Sequence, residues 1–126
     1  MPCRILICDD NDDDVYFLLH SCEAAGLSVD STRARDGDDA VRCLTSAAEF
    51  DVVILDQRLP RRSGREVIEQ ARSLGHFPRC PVVILTAAMG KEREELSSTG
   101  VRVVLEKPST LDGYLQVGEA IARLCP

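Results

Sequence analysis

The sequence predicts an α/β protein built on one five-stranded parallel sheet with helices on both faces. Three observations predict it. Four short apolar runs, RILIC (4–8), VVIL (52–55), VVIL (82–85) and VRVVL (101–105), are rich in β-branched residues and do not alternate with polar ones. Runs of this kind suit strands covered on both faces. Patterns of helical period lie between them, and strand–helix alternation implies a parallel sheet with right-handed crossovers. A length of 126 residues suits one domain with one continuous core, here residues 1–126 with no output domain expected.

The elements follow in order. The first strand, 4–8, runs straight into acid. Val15, Leu18, Leu19 and Cys22 then share a helical face, with Gly26 as the stop. LSVDST (27–32) is a weaker apolar run and predicts an edge strand. After the Asp36-Gly37 turn, Ala40, Val41, Leu44, Ala47 and Ala48 make a second helical face. The third strand is 52–55. Val67, Ile68, Ala71 and Leu74 make a third face, closed by Gly75. The fourth strand is 82–85. Residues 89–98 offer only Met89 and Leu96 as apolar anchors, which predicts a short, solvated, mobile helix. After the fifth strand, 101–105, Leu111, Leu115, Ile121 and Leu124 lie along a last helix capped by Ser109 or Thr110. Gly113 and Gly118 interrupt it. Each costs about 1 kcal/mol against Ala in a helix interior, so its ends are expected to fray.

A net charge of −6 argues against direct nucleic-acid binding, which draws on a surplus of Lys and Arg. No apolar stretch approaches a membrane span, and MPCRILICDD reads as neither a signal nor a transit peptide. The expected location is cytoplasmic. The six cysteines form no C-x-x-C pair and lie far from His20 and His76, so zinc and a disulfide framework are not expected. They are read as reduced, small buried hydrophobes.

Parallel strands deliver their carboxyl ends to one edge, where ligands of such sheets bind. The first strand ends at Asp9-Asp10, the third at Asp56, the fourth at Thr86 and the fifth at Glu106-Lys107. Acids, a hydroxyl and an ammonium should therefore meet in one pocket. Two carboxylates about 4 Å apart, at an effective dielectric near 20, repel by roughly 4 kcal/mol. Either a proton or a cation must relieve three of them. An all-oxygen site with open water positions suits Mg²⁺, or Mn²⁺. Asp56 is then a candidate nucleophile toward phosphorus, forming an acyl phosphate, with Thr86 and Lys107 placed to hold the arriving group.

These residues resemble the receiver domain of two-component response regulators. The resemblance covers the whole chain. It rests on Asp9-Asp10, on DQRLPRRSG from Asp56 to Gly64, on Thr86 ending VVILT, and on Lys107-Pro108. The DDNxxDV opening is similar to single-domain regulators associated with bacterial phytochromes. The resemblance implies a flavodoxin-like sheet of order 2-1-3-4-5 with five helices; periodicity alone does not give that order. It implies that Asp56 accepts phosphate from a sensor histidine kinase or phosphotransfer protein. Asp10 and Asp56, with Asp9 and the Arg58 backbone carbonyl, would ligate the metal. Thr86 and the Ala87 amide would bind phosphoryl oxygens, Lys107 would pair with the group, and Lys107-Pro108 would be cis. The output would be a switched surface for an unidentified downstream protein, or a homodimer, and the only chemistry would be the chain's own phosphorylation and autodephosphorylation.

One position departs from the family, which usually carries an aromatic three residues before the lysine. Here that residue is Val104, which has no ring to swing and a stiff χ1; Tyr114 is the nearest aromatic that could take its place. Two other functions compete. A degenerate receiver would bind partners without phosphate. A haloacid-dehalogenase-like phosphatase would carry a second acid two residues after its nucleophile, where this chain has Arg58. Within ICDDNDDD, Asp9 and Asp10 are assigned to the metal site. Asp12, Asp13 and Asp14 are assigned to the first turn of the next helix, where the dipole favours acids.

Overall fold

The computed structural model describes residues 2–126. Ten elements alternate along the chain: β1 (Cys3–Cys8), α1 (Asp12–Ala24), β2 (Val29–Ala34), α2 (Gly37–Thr45), β3 (Val52–Asp56), α3 (Gly64–Ser73), β4 (Val82–Thr86), α4 (Gly90–Ser97), β5 (Val103–Glu106) and α5 (Leu111–Leu124). The strands form one sheet in the order β2-β1-β3-β4-β5, and every neighbouring pair is parallel. β2 is the edge strand that its weaker run predicts.

The apolar runs do not alternate because both faces of the sheet are buried. Ile5, Ile7, Ile54, Val83 and Leu85 point to one face, where Val15, Leu18 and Cys22 of α1 meet Tyr114, Val117 and Ile121 of α5. Leu6, Cys8, Val53, Leu55 and Ile84 point to the other, under Ala40 of α2, Val67 and Ile68 of α3 and Leu96 of α4. Fully burying each large aliphatic side chain is worth about 1.5–3 kcal/mol. These two layers fix the sheet register and hence the position of every strand end.

Local caps set the helix starts. Asn11 accepts from the Asp14 amide at the start of α1, Ser63 and Glu66 make a reciprocal capping box on α3, and Thr110 caps α5. α4 has no side-chain cap and buries only Leu96, with Met89 exposed ahead of it. The expected short, solvated helix is the one observed.

The structure corrects five expectations. α2 ends at Thr45, so Ala47 and Ala48 lie outside it. Ser46 takes an extended conformation, donates its hydroxyl to the Cys43 carbonyl and accepts from the Ala48 amide, which satisfies the chain end outside a helix. Leu74 is the half-exposed C-cap of α3 rather than a core residue. Gly118 is no weak point: a Cβ there would stand 2.5 Å from the Ser21 carbonyl oxygen, so the glycine lets α5 seat on α1. The Lys107–Pro108 bond is trans, which X-Pro bonds favour intrinsically by about 0.5–1 kcal/mol. Finally, Cys3 and Cys125 form a disulfide, while Cys8, Cys22, Cys43 and Cys80 are free. α5 returns across the face of β1, bringing together two cysteines 122 positions apart.

Candidate functional site

The site is assembled from the carboxyl ends of β1, β3, β4 and β5. Asp56 is the last residue of β3, Thr86 the last of β4, and Lys107 follows β5. Asp9 and Asp10 follow β1 directly. Asp9, Asp56 and Thr86 are buried, and Asp10 is exposed. One carboxylate oxygen from each of Asp9, Asp10 and Asp56 falls within a sphere of mutual distances no greater than 4.8 Å. Asp10, Asp56, Arg58, Thr86, Ala87 and Lys107 line one open cleft of about 520 Å³.

Each buried oxygen has a defined partner. Asp56 Oδ1 accepts from the Arg58 amide at 3.1 Å, and Oδ2 from Lys107 Nζ at 2.7 Å. Asp9 Oδ1 accepts from the Asn11 amide at 2.9 Å, and Oδ2 from Lys107 Nζ at 2.8 Å. The strands hold these groups by backbone bonds: the Lys107 amide donates to the Thr86 carbonyl, and the Gln57 amide to the Leu85 carbonyl. The Thr86 hydroxyl accepts from the Ala88 amide at 2.9 Å, tying the hydroxyl to the β4–α4 loop. Gly64 allows α3 to start beside β3, since a Cβ there would lie 2.9 Å from the Asp56 carbonyl oxygen. Val104 is buried on the α3/α4 side of the sheet.

Burial alone would lower the proton affinity of the Lys107 ammonium. Hydrogen bonds to Asp56 and then Asp9 outweigh it and raise that affinity well above the usual lysine range. Lys107 is therefore a firm cation here.

Asp14 escapes the sequence reading as a site residue, and Tyr114, expected there only as the nearest aromatic to stand in for Val104, joins it. Asp14 Oδ2 lies 3.2 Å from Lys107 Nζ, and Asp14 Oδ1 accepts from the Tyr114 hydroxyl at 2.8 Å. The signal was present in the spacing. Asp14 precedes the buried Leu18 by four residues, so its side chain projects from the sheet-facing side of α1. Asp12 does behave as a helix-end charge, with Arg33 and Arg35 holding its carboxyl below the usual range.

Four carboxylates (Asp9, Asp10, Asp14 and Asp56) thus face one ammonium, an excess of three negative charges. The donor set is all oxygen, and Asp10 stands open to the cleft. That chemistry fits a hard divalent cation that keeps several waters. A doubly wound parallel sheet with a cation-competent acid cluster and a lysine at its carboxyl edge defines the class of this protein.

The comparisons narrow the class. The model of the response regulator receiver domain matches residues 5–117, and the chain belongs to that family. The response regulator MprA of Mycolicibacterium vanbaalenii is 36% identical over 124 residues, covering 98% of this chain and 52% of that protein. The chain thus spans about half the length of the mycobacterial relatives it matches. Among solved structures, the phosphorylated cyanobacterial phytochrome response regulator RcpA superposes with a TM-score of 0.83 at 24% identity, covering 98% and 93% of the two chains. The Mn²⁺-bound form of response regulator Rcp1 gives 0.82 at 23% identity, covering 95% and 91%. Both share the fold described above.

Proposed function

We propose that this receiver domain is a phosphorylation switch with Asp56 as the acceptor. The observation that carries the proposal is Lys107 bridging Asp9 and Asp56 at the floor of an open, acid-lined cleft. A phosphohistidine on a sensor kinase or phosphotransfer protein is the donor. An Asp56 carboxylate oxygen attacks phosphorus, the P–N bond breaks, and the imidazole departs with its electron pair and takes up a proton. An acyl phosphate remains on Asp56.

Asp9, Asp10, Asp56 and the Arg58 carbonyl would hold Mg²⁺, or Mn²⁺. Bound there, the cation supplies charge neutralisation on the transferring oxygens. Lys107 already sits on Asp56 Oδ2 and supplies a second positive charge to the arriving group. The Thr86 hydroxyl and the Ala87 amide, from residues lining the same cleft, bind the remaining phosphoryl oxygens. Attraction of Thr86 to the phosphoryl group pulls on the β4–α4 loop that it now tethers. The readout is a changed surface for a downstream protein or a second copy of the chain. The domain works in the cytoplasm, and its chemistry is confined to its own phosphorylation and dephosphorylation.

Incubation with Mg²⁺ and acetyl phosphate, followed by intact mass measurement, tests this. Phosphorus moves from the acetate oxygen to Asp56 and acetate leaves. One labile phosphoryl adduct is expected, and none in Asp56→Asn. No adduct on the native chain makes it a phosphate-independent binding module. An adduct that persists in Asp56→Asn moves the acceptor elsewhere.

A further inference from the structure

Lys107 makes three acidic contacts, and the function proposed above draws on only those to Asp9 and Asp56. Asp9 and Asp56 lie at 2.8 and 2.7 Å, whereas Asp14 lies at 3.2 Å. Asp14 is on α1, and its second oxygen accepts from the Tyr114 hydroxyl on α5 at 2.8 Å. Tyr114 is a buried ring, with the Phe17 ring centroid 5.7 Å away. A continuous polar line therefore runs from Asp56 through Lys107 and Asp14 to the hydroxyl of a core residue in α5.

We propose that Asp14 is a positioning residue for Lys107 and that Asp14 and Tyr114 together carry the phosphorylation state of Asp56 to the α1–α5 face. The proposal rests on the phosphorylation of Asp56. A phosphoryl group brings about −1.5 to −2 charges to the cleft. The ammonium is drawn toward it, and the longest of its three contacts, the one to Asp14, gives way first. The new charge also repels the Asp14 carboxylate. Both effects act on the acceptor of the Tyr114 hydroxyl. α1 and α5 are packed so closely at Gly118 and Ser21 that a change at the Tyr114 end must be taken up by the pair of helices together.

The composition supplies a clean probe. The chain has two tyrosines and no tryptophan, and Tyr16 is an exposed residue of α1. In Tyr16→Phe, Tyr114 is the sole tyrosine, and its absorption and emission report on its hydroxyl. The experiment follows that signal in Tyr16→Phe with Mg²⁺ and acetyl phosphate, while intact mass gives the phosphoryl occupancy of the same samples. The expected result is a spectral change that grows with occupancy and reverses as the adduct hydrolyses. Adding Asp14→Asn keeps an acceptor for the hydroxyl but removes the charge facing Lys107, and the change per mole of adduct is then expected to be lost. An unchanged Tyr114 signal at full occupancy overturns the proposal. So does a response that survives Asp14→Asn undiminished. Should no adduct form at all, the phosphorylation reading falls and this proposal with it, an outcome that the mass measurement separates from the others.

Discussion

Asp14 and Asp13 differ by one position, yet only Asp14 touches the site. Charge counting treats them alike; helical phase separates them. Asp9, Asp10, Asp56, Thr86 and Lys107 were legible because a parallel sheet must bring its strand ends together, whatever the loops do. Asp14 was not, because dipole and site readings predict the same residue type at a helix start. Two groups of this network should show themselves in alkaline solution. Burial, then the hydrogen bond to Asp14, raises the Tyr114 phenol above its usual value of 10.0. Burial opposes but does not prevent the rise of Lys107 above its usual 10.5, which the bonds to Asp56 and Asp9 cause. A group that holds its proton more tightly when folded gives stability that is complete below its unfolded value and lost as pH climbs toward the folded one. Stability against thermal unfolding should therefore fall from about pH 10 upward, by at most about 1.4 kcal/mol per pH unit for each group. Tyr114→Phe should show a smaller alkaline loss than the native chain; an identical loss contradicts the phenol's share.

At the scale of elements, periodicity found all five helices but misjudged two ends and one glycine. Ala47 and Ala48 continue an apolar pattern, but Ser46 satisfies the local backbone with its own hydroxyl and stops α2 first. Gly118 reads as a helix breaker, and a sequence cannot show that another backbone lies 2.5 Å from its missing Cβ. The two effects have opposite signs. Alanine would gain about 1 kcal/mol of helix propensity, while forcing α1 and α5 apart costs about 1–3 kcal/mol as overpacking does elsewhere. Gly118→Ala should lower the Tm. A raised Tm would mean that α5 shifts freely on α1, and would undo the tight α1–α5 packing on which signal transfer through Tyr114 depends.

For the molecule as a whole, the two buried layers and the closed chain ends matter most. The layers were legible because β-branched runs without alternation demand cover on both faces. The disulfide was not: Cys3 and Cys125 lie at opposite ends of the sequence, and only the path of α5 over β1 makes them neighbours. A cross-link closing a loop this long stabilises by about 2–4 kcal/mol, mainly through the unfolded chain. Oxidised protein should unfold at a higher temperature than protein in dithiothreitol, and the difference should vanish in Cys125→Ser. Under reducing conditions the thiol pair prevails, so the lower value applies there. On the proposed function, Asp9, Asp10 and Asp56 at one sheet edge bind a cation in order to accept a phosphoryl group, while Asp12 and Asp13 only finish a helix. The most direct test is the rate of acetyl-phosphate labelling with Mg²⁺ or with chelator, compared in the native chain, Asp10→Ala and Asp13→Ala. A cation-dependent acceptor at Asp56 gives labelling that needs Mg²⁺, is lost in Asp10→Ala and is retained in Asp13→Ala. Labelling that ignores the chelator, or that both variants lose equally, would contradict it.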